Sequence, residues 1–266
     1  MITSVHNPKI QQIRLLQSRP RQRREAGAFV IEGVRLVEEA LQAGWEIELA
    51  LYTQDLGERG LTLVKDLTSR RVSIEEVAPQ VFHAASDTQS PQGILAVLPL
   101  KTLPRPALLD FAFIPDGVRD PGNLGTMLRT AAAAGVQAVF LPPETADVFA
   151  PKVVRSAMGA HFHLPIYPLS WDEIRRQVRQ AGLRVYLAEA RLGEAYTQAD
   201  FRSPLALMIG GEAEGASPVG RSLVDAAVHI PMPGGSESLN AAVAAAVLLF
   251  EVARQRTKTP AAIDQT

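Results

Sequence analysis

No cysteine occurs among the 266 residues, which excludes disulfides, thiolate metal ligands and cysteine nucleophiles. Excess charge is missing too. Lysine and arginine number 27 against 28 acidic side chains, a net charge of −1, so affinity for a polyanion must come from a local patch. No stretch reaches the roughly 20 consecutive apolar residues of a membrane span. The opening M-I-T-S-V-H-N-P-K has no apolar signal core. Both absences suit a cytoplasmic protein that does not enter a membrane. The chain also has no G-x-G-x-x-G after a first strand, no G-x-x-x-x-G-K-[ST] and no G-x-S-x-G elbow, so dinucleotide, P-loop and hydrolase sites lack support. His161 and His163 alternate along an expected strand, on either side of Phe162. Nothing nearby completes a ligand set, and no metal is expected.

What is present is an alternation of helical and extended patterns. Residues 4–19 read as a helix, with Asn7-Pro8 at its start and Ile10, Ile13 and Leu16 on one face. A basic stretch follows, containing Arg19, Arg21, Arg23, Arg24 and, further on, Arg35, opposed only by Glu25 and Glu32. It reads either as a solvated surface or as a patch for phosphates, whose oxygens match the guanidinium fork. Strands at 29–31, 47–52, 71–74 and 93–98 alternate with helices at 34–42, 61–70 and 77–85, an α/β unit over residues 1–98. The proline-rich stretch 99–107 reads as a linker. A second unit, 108–256, has strands at 109–114, 136–141, 162–167, 183–188, 205–209 and 228–232. Helices lie between them, including 151–159, 171–181 and 221–226, which argues for a parallel sheet. The tail 257–266 reads as disordered.

Three strands of the second unit end in loops rich in glycine and polar residues, and open parallel sheets bind ligands at carboxyl ends of strands. The first loop, P-D-G-V-R-D-P-G-N-L-G, holds Asp116, Arg119, Asp120 and Asn123. Asn123 is a candidate cap for the helix beginning near Thr126, which carries Arg129 among small apolar residues. Arg129 reads equally as an ion-pair partner or a functional cation. The second loop, G-G-E-A-E-G, places Glu212 and Glu214 among glycines, either as turn formers or as acid/base groups. The third, P-M-P-G-G-S-E-S-L-N, leads through Ser238 and Asn240 into a helix of almost unbroken Ala, Val and Leu. Ser236–Ser238 is a helix-start signal. A helix that apolar must be buried on most sides, in a dimer interface or under a loop.

These loops resemble the SpoU/TrmH family of RNA ribose 2′-O-methyltransferases, within the SPOUT superfamily. The family's N-x-G-x-x-x-R matches Asn123, Gly125 and Arg129. Its G-x-E-x-x-G matches Gly210, Glu212 and Gly215. Its I-P-M followed by S-L-N matches Ile230-Pro231-Met232 and Ser238-Leu239-Asn240. The resemblance covers roughly residues 108–252. V-I-E-G-V-R-L-V-E-E-A-L is similar to the α/β substrate-binding domain often fused ahead of it.

The resemblance implies a catalytic domain with a deep trefoil knot, which sequence patterns cannot reveal. It implies a homodimer that takes S-adenosyl-L-methionine and an RNA substrate, rRNA before tRNA. The donor would be held by Gly210, Gly211, Glu212, Ile230, Met232, Ser238 and Leu239. Arg129, Asn123, Glu212, Ser238 and Asn240 would serve catalysis, with Ser238 and Asn240 orienting Arg129 and the target ribose. RNA contacts would fall on Arg19, Arg21, Arg23, Arg24 and Arg35. The alternative is an RNA-binding member of the same fold that lacks turnover.

Overall fold

The computed structural model describes residues 1–212 and 214–257. Beyond Thr257, the tail expected to be disordered lies outside the described residues. The chain forms two compact units, Met1–Thr102 with Asp147–His163, and Leu103–Ala146 with the residues from Leu164 on. The segment 147–163, expected inside the 108–256 domain, thus groups with the first unit.

In chain order the elements are α1 (Pro8–Ser18), α2 (Pro20–Ala26), β1 (Ala28–Glu32), α3 (Val34–Gln42), β2 (Leu49–Tyr52), α4 (Glu58–Ser69), β3 (Ile74–Glu76), α5 (Pro79–Ala85) and β4 (Ile94–Pro99). Then follow β5 (Phe111–Asp116), α6 (Pro121–Ala133), β6 (Ala138–Leu141), α7 (Pro151–Ala157), a 3-10 turn (Ala160–Phe162), β7 (Ile166–Pro168) and α8 (Trp171–Gln180). The last are β8 (Arg184–Glu189), β9 (Glu194–Ala195), β10 (Leu205–Gly210), α9 (Pro218–Arg221), β11 (Ala226–His229) and α10 (Ala241–Arg256). No helix among the described residues is long and apolar enough to cross a membrane.

In the first unit the strands run in the order β1-β4-β2-β3, with β4 antiparallel to both neighbours and β2 parallel to β3. Asn7 accepts from the Lys9 amide at 2.9 Å and Pro8 takes the first helical position, so α1 starts where its cap dictates. Its stripe Ile10, Ile13 and Leu16 packs with Phe82, Leu51 and Leu95 in one core. Pro20 opens a separate helix, α2, across the arginine-rich stretch. β3 begins three residues later than expected. Val72 donates back to the Leu67 carbonyl at 3.1 Å, and Arg71 turns through φ +61, so the exit from α4 uses up those residues. Segment 147–163 packs Phe149 on Phe29, with centroids 4.9 Å apart, and Phe162 on Trp45 at 5.3 Å.

His161 and His163 do not alternate along a strand as expected. His161 lies in the 3-10 turn, is buried, and shares a 2.7 Å hydrogen bond with the Val148 carbonyl. His163 follows that turn and meets Glu39 at 3.0 Å.

The second unit is a seven-stranded sheet in the order β7-β6-β5-β10-β8-β11-β9, parallel at every pairing. All six residues of β5 are buried, as expected for a strand covered on both faces. Ala112, Ile114, Ala206 and Met208 share a core with Ile174 and Val178 of α8. The parallel α/β architecture, with a smaller α/β unit ahead of it, agrees with the expectation.

Helix starts differ in informative ways. α6 begins at Pro121, five residues early, because Asp120 is its cap and accepts from the Asn123 amide at 2.8 Å. Asn123 is therefore not the cap, and its side chain is left for other work. α10 begins at Ala241, not at Ser236–Ser238, because the Asn240 side chain accepts from the Ala242 and Val243 amides at 2.9 and 3.2 Å. β11 ends at His229, which puts Ile230 and Met232 in the loop. Of the expected helix 221–226 only Arg221 is helical: α9 covers Pro218–Arg221, with Ser217 accepting from the Gly220 amide and Pro218 in the first helical position, and Ala226 already opens β11.

Candidate functional site

Three loops leave the carboxyl edge of the seven-stranded sheet and are tied together. Asp116, the last residue of β5, is buried and accepts from the Ser217 amide at 2.6 Å, which anchors the loop after β10. Burial pushes its carboxyl above the ordinary carboxylate range, offset in part by that amide. The second loop closes on itself through paired hydrogen bonds between Gly211 and Gly215, at 3.1 and 3.0 Å. It also presses against the first loop. A Cβ on Gly211 would lie 2.4 Å from the Gly117 carbonyl oxygen, so only glycine permits that approach.

Across this frame runs a chain of three side chains. Asn123 Nδ2 donates to Glu212 Oε1 at 2.5 Å, and Asn240 Nδ2 donates to Asn123 Oδ1 at 3.1 Å. The Asn240 oxygen is already committed to the α10 amides. The polarity is self-consistent, because a carboxylate only accepts. Glu212 thus takes the Asn123 amide group, which leaves the Asn123 oxygen for Asn240. Each member comes from a different sequence motif.

Beside the chain opens a cavity of about 490 Å³, within the range of small-ligand pockets. Gly210, Gly211 and Glu212 line it from the loop after β10, Ile230 and Met232 from the loop after β11, and Ser238 and Leu239 from the approach to α10. All seven residues expected around a methyl donor therefore share one cavity. Sequence reasoning missed Ala188, Glu189 and Ala190 on its far wall. Their one signal was position, since Ala188 and Glu189 end β8 and Ala190 follows it. Glu189 also accepts from Arg221.

The fit to S-adenosylmethionine rests on the lining. Val228, Ile230, Leu239 and Leu248 give an apolar wall, while Glu189 and Glu212 place carboxylates at its edge. Such a lining suits an adenine, a ribose and a sulfonium cation.

The other candidate residues are dispersed. Arg129 is exposed on α6, and no described residue bonds or pairs with it. The expected orienting contacts from Ser238 and Asn240 are absent among the described residues, because Asn240 is occupied by Asn123 and its own helix. Glu212 and Glu214 have different partners, Glu212 accepting from Asn123. Glu214 faces Arg119 at 4.0 Å.

In the basic stretch, Arg19, Arg21, Arg24 and Arg35 are exposed, and Arg21 pairs with Glu25 at 2.6 Å. Arg23 is a correction. It is only 3% exposed, gives two hydrogen bonds to Asp147, at 3.0 and 2.6 Å, and two more to the Leu16 and Gln17 carbonyls that end α1. A buried guanidinium that spends four of its five N–H donors inside the fold is a strut and is not presented to phosphate.

The sequence profile of the SpoU rRNA Methylase family matches residues 110–250, and that of the MRM3-like substrate binding domain matches residues 7–96. A 23S rRNA (guanosine(2553)-2′-O)-methyltransferase, RlmP, of Bacillus subtilis is 33% identical over 94% of this chain and 98% of its own. A 23S rRNA (uridine(2479)-2′-O)-methyltransferase of Streptomyces viridochromogenes is 34% identical over 96% of this chain and 92% of its own. Among solved structures, the SpoU methyltransferase AviRb of Streptomyces viridochromogenes in complex with AdoMet has a TM-score of 0.86 at 31% identity, covering 94% of this chain and 98% of that one. An AdoMet-bound rRNA methyltransferase from Sinorhizobium meliloti has a TM-score of 0.85 at 31% identity, covering 97% and 98%. On the strength of motif, geometry and near full-length likeness together, the chain belongs to the SpoU rRNA methylase family.

Proposed function

We propose that this protein is an S-adenosylmethionine-dependent RNA 2′-O-ribose methyltransferase whose substrate is 23S rRNA. The observation that carries the reading is the Glu212–Asn123–Asn240 chain set against the 490 Å³ cavity. S-adenosylmethionine supplies, when bound, an electrophilic methyl group on a sulfonium centre. The protein's share is to hold the ribose in line with it and to lower the cost of deprotonating the 2′-hydroxyl. Arg129 serves the second task. An unpaired guanidinium near the ribose oxygen favours its deprotonated form, and the proton leaves to a phosphate or to solvent. Glu212 and Asn240 hold Asn123 from both sides, which fixes the direction of its remaining polar edge. Ser238 stands at the cavity rim beside them.

The protein acts in the cytoplasm as a homodimer, with each chain carrying the family's trefoil knot. Supporting the dimer, α10 keeps Val243 and Phe250 about half exposed, at 49% and 51%, although its other face is core. Such a surface favours a second copy. Arg19, Arg21, Arg24 and Arg35 contact RNA phosphates.

The test uses RNA from cells lacking the gene and donor labelled in its methyl group. Incorporation into 23S rRNA at nuclease-resistant 2′-O-methyl linkages is expected. RNA binding without incorporation would favour the non-catalytic alternative, and sedimentation at micromolar concentration reads the dimer.

A further inference from the structure

Next to the donor cavity lies a second, larger one of about 770 Å³, built from the loops after β5, β6 and β10 and the first turn of α8. We propose that it receives the base of the target nucleotide and favours guanine. The proposal rests on the methyltransferase reading and names the substrate group that the reading leaves open. Relatives of equal likeness act on guanosine or on uridine by their names, so membership of the family does not decide the base.

Position is the first argument. Gly211, Glu212 and Gly215 line both cavities, so a single turn of backbone separates them. The first loop also joins them. Asp116, Gly117 and Arg119 line the larger cavity, and Asn123, four residues further on, bonds Glu212. A nucleotide whose ribose sits at that chain has its base within reach of the larger space.

The walls are the second argument. Trp171, Pro143, Pro218 and Val219 give the cavity apolar sides, and Val219 is 44% exposed there. Exposed apolar walls beside a catalytic centre are what a base splayed from its stack requires. Trp171 lies against the cavity floor. A Cβ on Gly220 would lie 3.0 Å from its ring and 2.4 Å from Asp116 Oδ2, so the floor is closely packed.

The rim supplies the selection. Glu144 and Glu214 flank Arg119, at 3.3 and 4.0 Å, and all three side chains are well exposed. Exposed pairs of this kind are weak and exchange readily. Both acidic side chains end in carboxylates. They accept hydrogen bonds and cannot donate them. Guanine presents two adjacent donors, N1–H and the 2-amino group, which one carboxylate accepts together. Uracil offers a single N–H between two carbonyls, and those carbonyls meet the carboxylate unfavourably. As a carboxylate turns to the base, Arg119 is released toward the flanking phosphate, so no charge is stranded.

The experiment digests RNA that the full-length protein has methylated with labelled donor and identifies the labelled nucleoside. 2′-O-methylguanosine is expected, and any other 2′-O-methyl nucleoside overturns the inference while leaving the methyltransferase reading intact. Absence of label would overturn that reading itself, and the inference with it. The E144Q/E214Q double variant, changed only at exposed positions, should lose at least tenfold in kcat/KM for RNA, with donor Kd within twofold of the parent. An unchanged kcat/KM removes these carboxylates from base selection and sinks the proposal.

Discussion

The two sheets of this protein dispose of their strand ends differently. In the first unit, β4 runs against β1 and β2 while β2 and β3 run together, so amino and carboxyl ends mix along each edge. Polar side chains there go into struts. Arg23 holds Asp147 and the end of α1, and Glu32 accepts from Ser86, Asp87 and Thr88. In the second unit every pairing is parallel, so the carboxyl ends of β5, β8, β10 and β11 collect on one edge and send their loops to the same place. There Asn123, Glu212 and Asn240 are linked side chain to side chain. Strand direction, more than composition, decides whether loops from distant parts of the chain converge on one edge.

The largest effect expected from that contrast falls on Arg129. Arg129→Ala should lower methyl transfer by about 10²–10³-fold, with the unfolding midpoint and donor affinity unchanged. If donor affinity collapses instead, the role assigned to Arg129 is wrong. In the first unit the matching test is acid. Burial lowers the His161 pKa to about 4, from 6.5 for a free imidazole. The unfolded chain therefore takes up a proton as pH falls through 6.5, while the folded chain does so only near 4. Stability is complete above the upper value and drains away toward the lower one, by about 3 kcal/mol in all. Urea unfolding at several pH values reads this, and His161→Phe should remove that component.

Arg23→Ala should cost about 2–3 kcal/mol of stability, because Asp147 and two helix-ending carbonyls lose their donor, yet leave methyl transfer by the folded fraction intact. Weaker RNA binding at unchanged stability would return Arg23 to the RNA interface. Asn240 sharpens the comparison further. Asn240→Ala removes a helix cap worth about 1 kcal/mol, whereas Asn240→Asp keeps the cap and loses only the donor to Asn123. A slower rate in the Asp variant at parental stability separates positioning from folding. The smallest change is expected for the exposed arginines. Removing Arg21 and Arg24 should flatten the salt dependence of RNA binding by about 0.7–0.9 per lost phosphate contact. An unchanged slope takes them out of the interface.

Much of this was legible from residue order, for reasons particular to each element. The cap of α1 could be read because the capping group, Asn7, directly precedes the helix and bonds within a turn. The start of α6 was misplaced because Pro121-Gly122-Asn123 reads as a loop until Asp120 is seen to cap it. The three motifs around Asn123, Glu212 and Asn240 stood out through their glycines and polar residues. Glu189 and the larger cavity did not, since their lining is ordinary residue by residue and acquires meaning only from neighbours far along the chain. Arg23 was misjudged with its neighbours because one arginine in a basic run looks like the next.

Residue order alone determined the alternation of strands and helices, the three motifs and the family they resemble. Each of these rests on hydrophobic period, helix caps or short-range spacing, which local interactions enforce. Only the tertiary structure decided which arginine is buried, which amide faces which carboxylate, and that two cavities share one wall. Those outcomes depend on groups more than a hundred residues apart, such as Asn123 with Asn240 and Arg23 with Asp147. Their meeting is set by how the parallel strands are ordered and by how segment 147–163 returns to the first unit.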